Sequence, residues 1–356
     1  MRPLAPEDWK TGGLFEASRR SPMARLRPLV APGFKGSEVQ GYDPAATSRL
    51  LDEAAQACVA YTGADLLAEH DTQVALINAA HQDVWCRPDL GQVVMTSAFL
   101  EAIWFVASTY SLFTATRRLI GHSLELGLGE RPDLVAFQGM LFKLQTTRLT
   151  LHIIGQLPAP DLRSMLPPRL RLSTHGTVAL TTAFVLLHEQ AHCQAGRDPE
   201  LVQAWRRRQS LAGAPDISPE WREEFFADSW ALTRAPMAQR GEFLKPVIIF
   251  FANQWIVDLL AYSAFGSHPH VADRLTQLAK ADFGSDAADI VALANRFSPS
   301  VESFFSGLEA RPVGERYEAL IERSLIMADA DDGLTYDVMA KAVCEQYEAV
   351  LDAQPR

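Results

Sequence analysis

Residues 184–192 read Phe-Val-Leu-Leu-His-Glu-Gln-Ala-His, an apolar run that ends in an H-E-x-x-H motif. The apolar character of the surrounding segment, residues 178–196, predicts one long buried helix. On a helix, His188 and His192 lie one turn apart on the same face, so both imidazoles can bind one metal ion. Glu189 lies beside that face, close enough to act on a water held by the metal.

A catalytic zinc ion usually has three protein ligands and one open position. Glu224 is the natural candidate for the third ligand, because it lies on the predicted helix that begins at Ser218-Pro219. Asp228 follows one turn later on the same face, where its carboxylate can accept a hydrogen bond from a ligating imidazole. An ordinary acidic helix surface is the alternative for these carboxylates. The preceding H-E-x-x-H motif and the flanking aromatic residues favour a site for one Zn²⁺ ion.

With these residues in place, the sequence resembles the gluzincin metallopeptidases, and within them the HtpX-like and CAAX prenyl endopeptidase branch. His188-Glu-Gln-Ala-His192 and Glu224-Phe-Phe-Ala-Asp228 are similar to the HExxH and ExxAD motifs of these enzymes. Residues 267–278 are similar to their S/T-H-P segment, in which an arginine, here Arg274, lies five residues after the proline. The three motifs also follow each other in the order found in that branch.

The resemblance implies a zinc-dependent endopeptidase that hydrolyses peptide bonds of a protein substrate through a zinc-held water. The residues it implies are the zinc ligands His188, His192 and Glu224, the general base Glu189 and the supporting carboxylate Asp228. It also implies a role near the site for His268, and for Arg274 a role in holding the segment that contains His268. The donor that stabilises the oxyanion stays open among His268, His270 and Tyr262, and no substrate-binding residue is predicted.

Two other functions are compatible with the motifs. The clear membrane spans of that branch are missing, so a cytosolic peptidase similar to the Lit-like phage-exclusion enzymes, which inactivate a host protein, is one alternative. The other is a zinc-bound regulatory protein without proteolytic activity, which would use its helical N-terminal part to bind protein partners. A chance motif in a helical scaffold is the remaining interpretation.

The charge balance of the chain bounds its partners. The 356 residues include 33 Lys and Arg against 43 Asp and Glu, which gives a formal net charge of −10. This acidic balance argues against a general binder of nucleic acid or of anionic membranes. A protein or peptide substrate is what the resemblance implies. The apolar stretches 93–110 and 246–266 are both interrupted by polar residues, so no membrane span is expected. The oligomeric state is not predicted.

The cysteines and the N-terminus bear on the compartment. The four cysteines form no C-x-x-C pair, and the N-terminus has no apolar signal segment. We therefore expect reduced cysteines in a cytoplasmic protein. Cys193 follows His192 directly, but it points away from both histidines and is predicted to be a core residue.

The predicted fold is mostly α, with an N-terminal helical bundle and a gluzincin-like metallopeptidase core that contains a small β-sheet. The predicted regions are an irregular arm over 1–40, a helical domain over 41–165, the metallopeptidase core over 166–283 and a helical region over 284–356. The first helices are predicted over about 44–63, 64–85, 93–120 and 132–154. Later helices are predicted over about 199–209, 285–296, 299–309, 313–328 and 336–353. Polar and apolar residues alternate over 169–174, which predicts a short strand to whose edge an extended substrate could add.

Overall fold

The computed structural model describes seven main stretches of the chain and eight further positions. These are residues 44–63, 71–77, 84–141, 165–208, 219–234, 271–282 and 333–353, with 65, 69, 247, 249–251, 254 and 269. In chain order the elements are helix α1 (Pro44–Thr62), strands β1 (Gln73–Ile77), β2 (Val84–Arg87) and β3 (Gln92–Thr96), and helices α2 (Ser97–Glu125), α3 (Pro168–Arg197), α4 (Glu200–Arg208), α5 (Pro219–Thr233), α6 (Val271–Asp282) and α7 (Gly333–Ala353). Residues 132–141 are also helical. The mostly α fold with a small sheet is confirmed.

The sheet lies before the motif helix, in a part of the chain for which the sequence predicted helices. Its strand order is β1-β3-β2, with β3 parallel to β1 and antiparallel to β2. The predicted helix over 64–85 is therefore wrong, and the helix predicted from residue 93 begins only at Ser97. Residues 93–95 are all buried because β3 is the central strand. A short apolar run of this kind cannot be told from a buried helix by its period.

The motif helix α3 begins at Pro168, so the strand predicted over 169–174 is wrong, and the substrate edge proposed there does not exist. Proline suits the first position of a helix because the missing N–H would have no partner there. Leu170 and Thr174 are buried one turn apart, whereas Leu172 is 74% exposed. The inward face of this segment thus follows the helical period, and the alternation in the sequence did not report burial.

Helix α3 lies at the centre of the described core. It contacts α1, α2, α4 and α5 together with strands β2 and β3. The buried apolar side chains from α1 to α7 form one continuous cluster around it. The last turns of α3, which carry the motif, are therefore held between the sheet on one side and α5 on another.

Several helices agree with the sequence, and others fall where nothing is described. Helices α1, α4, α5 and α7 occupy the segments predicted for them, and α1 is followed by Gly63 with a φ of 71°. That positive φ is readily adopted by glycine and is typical of a helix end. The helices predicted over 285–296, 299–309 and 313–328 lie outside the described residues, as does the irregular arm over 1–40.

Two described helices are long and apolar enough to cross a membrane. They span Ala98–Glu125 and Pro168–Arg197, and 72% and 67% of their most apolar windows are buried inside the protein. The core helix of a soluble protein passes the same test of length and composition. This finding therefore does not distinguish a membrane span from a buried core helix. Most of the interrupted stretch 246–266 lies outside the described residues.

Candidate metal centre

Three helices bring the predicted site residues together. The last turns of α3 carry His188, Glu189 and His192, and α5 packs along them with Glu224 and Asp228. Helix α6 packs against α5 and supplies a buried arginine. The site thus depends on the docking of α5 and α6 as well as on the motif itself.

The two histidines and Glu224 converge on one point. The Nε2 atoms of His188 and His192 are 3.1 Å apart, and they lie 3.6 Å and 3.4 Å from the two carboxylate oxygens of Glu224. The candidate ligand atoms all lie within 4.8 Å of one another. Two nitrogens bound at about 2.1 Å to one tetrahedral ion would lie about 3.4 Å apart. The spacing of these donors therefore fits a single zinc-sized ion.

The second nitrogen of each imidazole faces a carboxylate. His188 Nδ1 lies 2.9 Å from Asp228 Oδ1, and His192 Nδ1 shares a hydrogen bond of 3.1 Å with Glu223 Oε1. A carboxylate at Nδ1 favours the tautomer with the proton on that nitrogen, which leaves the Nε2 lone pair free for a metal. Both rings are therefore oriented to offer Nε2 to the same point.

Glu223 was given no role by the sequence. It is the immediate neighbour of Glu224, and its side chain is 42% exposed. Adjacent helix residues point about 100° apart, so both glutamates can reach His192 only because α5 passes close to it. The sequence contains no signal for that approach, since it depends on how α5 packs on α3.

Arg274 joins two of the carboxylates from α6. Its Nε and Nη2 donate hydrogen bonds of 2.8 Å and 2.6 Å to the two oxygens of Asp228. Its Nη1 lies 3.3 Å from Glu224 Oε2, and its guanidinium carbon lies 4.9 Å from the ring centroid of Phe251. A bidentate arginine pair fixes both position and orientation of the carboxylate. Arg274 therefore holds Asp228 against His188.

The charges of the site leave it rich in negative charge. Four carboxylates surround the histidines, from Glu189, Glu223, Glu224 and Asp228, and the guanidinium of Arg274 contacts two of them. Buried charges are costly unless they are paired or coordinate a metal. A divalent cation between the histidines would offset this excess, so the donor set fits a metal in charge as well as in spacing.

The pKa values follow from the same contacts. Burial would lower the pKa of His188, but its contacts with Asp228 and Glu224 outweigh burial and raise it. The pKa of His192 lies well above its ordinary value, because Glu224 and Glu223 outweigh burial there too. Burial raises the pKa of Glu189. Burial opposes ionisation of Asp228 as well, yet the Arg274 charge holds the pKa of that carboxyl below its ordinary value.

An aromatic wall closes the inner side of the site. The ring of His188 lies 6.3 Å from Phe184 and 5.9 Å from Phe250, measured between centroids. The His188 side chain is 4% exposed, compared with 12% for His192. The apolar side therefore excludes water around His188, and the site opens on the side of His192 and Glu223.

Some predicted residues lie outside the part of the chain that the structure describes or outside the site. His268, His270 and Tyr262, among which the oxyanion donor was left open, lie outside the described residues. Cys193 is fully buried, as predicted, and its sulfur donates a hydrogen bond of 3.6 Å to the carbonyl of Gln92. Within the described stretches, only His188, His192 and Glu224 form a group that could hold a metal.

No known protein family model matches the chain, and neither a curated protein nor a solved structure matches it.

Proposed function

We propose that this chain is a zinc-dependent endopeptidase that cleaves a protein or peptide substrate. The proposal rests on the convergence of the His188 and His192 imidazoles with the Glu224 carboxylate, whose ligand atoms lie within 4.8 Å of one another. Two imidazoles and one carboxylate are a donor set of catalytic zinc sites. Three protein ligands leave one position open, whereas structural zinc sites are usually closed by four.

Each residue around the zinc position has a distinct task in the proposed reaction. A bound zinc ion would lower the pKa of a water to about 7 and polarise the scissile carbonyl. Glu189 accepts a proton from the attacking water and returns it to the leaving amine. Its pKa is raised by burial, which brings this carboxyl closer to the working pH of a proton carrier. Asp228 and Glu223 keep the two imidazoles oriented, and Arg274 keeps Asp228 ionised.

The direction of substrate approach follows from exposure. The side chains of His192 and Glu223 are 12% and 42% exposed, whereas His188 is packed against Phe184 and Phe250. We therefore place the substrate on the His192 side of the metal position. The resemblance to the HtpX-like and CAAX prenyl endopeptidase branch supports peptide bonds as the target, and the acidic chain supports a protein partner over nucleic acid.

A zinc-binding protein without proteolytic activity is the second candidate. It is favoured by the burial of the site, where Glu189 is 8% exposed and His188 is 3% exposed. This candidate needs the same ligands, so loss of metal from a ligand variant does not distinguish it from a peptidase. Substitution of Glu189 does, because a purely structural zinc site has no use for a general base.

The test compares the full chain with its Glu189→Gln variant in metal content and in cleavage. We expect one zinc per chain in both by elemental analysis. A comparison of new protein N-termini in cell extracts should find cleavage that falls about 10²- to 10⁴-fold in the variant. Glu200→Gln is the matched control, since that carboxylate is 78% exposed and outside the site. Absence of stoichiometric zinc, or full cleavage by Glu189→Gln, overturns the proposal.

A further inference from the structure

The open side of the metal centre carries a carboxylate whose capacity for hydrogen bonds is used only in part. Glu223 lies beside His192 on this side, and its Oε1 shares the hydrogen bond with His192 Nδ1. A carboxylate has about four acceptor positions on its two oxygens, and the imidazole occupies one of them. Among the described side chains, the ion pair of Glu223 is with His192 alone. The remaining acceptor positions are therefore available to a ligand.

The guanidinium of the site is used by other carboxylates. Arg274 is buried, and it contacts Glu224 and Asp228. When the four carboxylates around the histidines are ionised, their charge exceeds that of Arg274 and a divalent zinc ion by one. Glu223 is the most exposed of the four. The excess negative charge is therefore accessible to a ligand at Glu223.

A second carboxylate of the site supports the entry of a ligand here. Glu189 is buried, and it has no hydrogen-bond partner among the described residues. Its charge interacts with those of both histidines, so it lies beside the metal position. Buried polar groups of native proteins are usually hydrogen-bonded, and an exception requires an explanation. A water and a bound substrate would provide the partners that the described chain does not.

We propose that Glu223 determines specificity by binding a lysine or arginine side chain of the substrate, an inference that rests on the proposed function. The Glu223 oxygen lies 3.1 Å from one ring nitrogen of His192, and a zinc ion would lie about 2.1 Å from the other. The carboxylate is therefore roughly 6 Å from the metal position, where the scissile carbonyl would be held. Consecutive Cα atoms are about 3.8 Å apart, so a long basic side chain within two residues of the scissile bond can reach Glu223.

The other side-chain classes fit this position less well. An apolar side chain would remove water from Glu223 without replacing its hydrogen bonds, which costs free energy. An acidic side chain would be repelled by the carboxylate. The new ion pair would be partly exposed, so its effect on kcat/KM should lie between that of a surface pair and that of a buried hydrogen bond to a charge, about 3- to 30-fold.

The experiment incubates the zinc-saturated full chain with a peptide mixture made by cleaving a cell extract after glutamate, and identifies new termini by mass spectrometry. Lysine and arginine should be enriched within two residues of the cleaved bonds. The best-cleaved sequence is then synthesised with lysine, norleucine or glutamate at the enriched position. We expect kcat/KM to fall about 3- to 30-fold from lysine to norleucine and further for glutamate. Glu223→Gln should abolish this order, whereas the control Glu200→Gln should keep it.

The ratio of two peptides in one variant does not depend on the fraction of zinc-loaded protein, so it separates specificity from the contact of Glu223 with His192. Binding of the three peptides to zinc-loaded Glu189→Gln, measured by fluorescence anisotropy, should follow the same order, and the preference for lysine should weaken with salt. Cleavage without a basic preference, or an unchanged lysine-to-norleucine ratio in Glu223→Gln, would overturn this inference and leave the proposed function intact. If the unsubstituted chain cleaved no peptide, the proposed function would fail and this inference with it.

Discussion

The two halves of the motif helix provide partners for their buried polar side chains in different ways. In the first half, buried threonines donate to carbonyls of their own helix: Thr174 to Leu170, Thr181 to Thr177 and Thr182 to Val178, each at 2.8 Å. In the second half, the Nδ1 atoms of His188 and His192 face carboxylates of α5. The bonds of these threonines to their own helix therefore form wherever the helix forms, whereas the two histidines of the second half require the fold around them.

This difference predicts where the site is vulnerable. A change on α5 or α6 should disturb the histidines without touching the helix that carries them, because their Nδ1 partners and the arginine behind them come from those segments. A change to a threonine of the first half should remain local. Substitutions that act across helices test the first statement, and a threonine substitution tests the second.

The largest effect is expected from Arg274→Met, which removes the partner of Asp228 but keeps much of the side-chain volume. Breaking a buried ion pair on one side leaves an uncompensated charge, which costs about 3–5 kcal/mol. Urea unfolding of the metal-free protein should show this loss in the free energy of unfolding. Arg169→Met is the matched control, because Arg169 is 51% exposed and pairs with Asp352 at the surface. Its loss should be at most about 1 kcal/mol.

Equal losses of unfolding free energy in the two variants would show that water screens the Arg274 pair. That result would contradict the burial of the Arg274 side chain, which is 3% exposed. Zinc should reduce the cost of Arg274→Met, because the cation offsets part of the charge left on Glu224 and Asp228. If the loss of unfolding free energy were the same with and without zinc, Arg274 would not be coupled electrostatically to the metal position.

The next effect compares two neighbouring glutamates. Glu223→Gln removes the charge next to His192 Nδ1, and loss of such an outer partner typically weakens metal binding about 10- to 100-fold. Glu224→Gln removes a candidate ligand and should weaken zinc binding beyond that range. Competition with a chromogenic chelator measures both affinities. If Glu223→Gln weakened zinc binding more than Glu224→Gln, Glu223 would be the ligand and Glu224 the outer partner, which contradicts the assignment.

The pH dependence should have opposite signs with and without zinc. The pKa values of His192 and Glu189 are raised in the folded, metal-free protein, so the folded state binds more protons than the unfolded one. The stability from His192 is complete below about pH 6.5 and is lost as the pH rises through the raised pKa. Glu189 adds a loss of the same sign, which starts at lower pH. The metal-free protein should therefore become less stable as the pH increases above about 6.5.

Zinc reverses this slope because ligation requires neutral imidazoles. The apparent affinity for zinc should fall about tenfold per unit decrease in pH for each proton that the ion must displace. Urea unfolding over a pH series, with zinc and with a chelator, provides both curves. Parallel curves would mean that zinc does not compete with protons on these histidines.

The sequence predicts the parts of the site that one helix can hold and fails where packing decides. The H-E-x-x-H spacing places both imidazoles on one face, and the spacing of Glu224 and Asp228 places both carboxylates on another helix. Glu223 could not be assigned, since its contact with His192 depends on how closely α5 approaches α3. The contact of Cys193 with the carbonyl of Gln92 depends on a sheet that the sequence had predicted as helix.

The errors in secondary structure have a related cause. Strand β3 is buried on both faces, so residues 93–95 carry no alternation that could mark a strand. Residues 169–174 do alternate, yet Leu172 points to solvent and the segment is helical. Periodicity reports which faces are buried only when a segment is long enough to distinguish a period of 2 from one of 3.6. Both errors occurred in short segments.

The smallest effect is expected from Thr182→Val in the first half of α3. The substitution keeps the branched shape and removes one hydroxyl, whose hydrogen bond to Val178 contributes about 0.5–1.5 kcal/mol. The Val178 carbonyl is inside the helix and keeps its backbone partner, so we expect a loss near the lower end of that range. Zinc affinity should not change, because the hydroxyl bonds only within its own helix. A tenfold weaker zinc affinity in this variant would show that the two halves are coupled and would break the distinction between them.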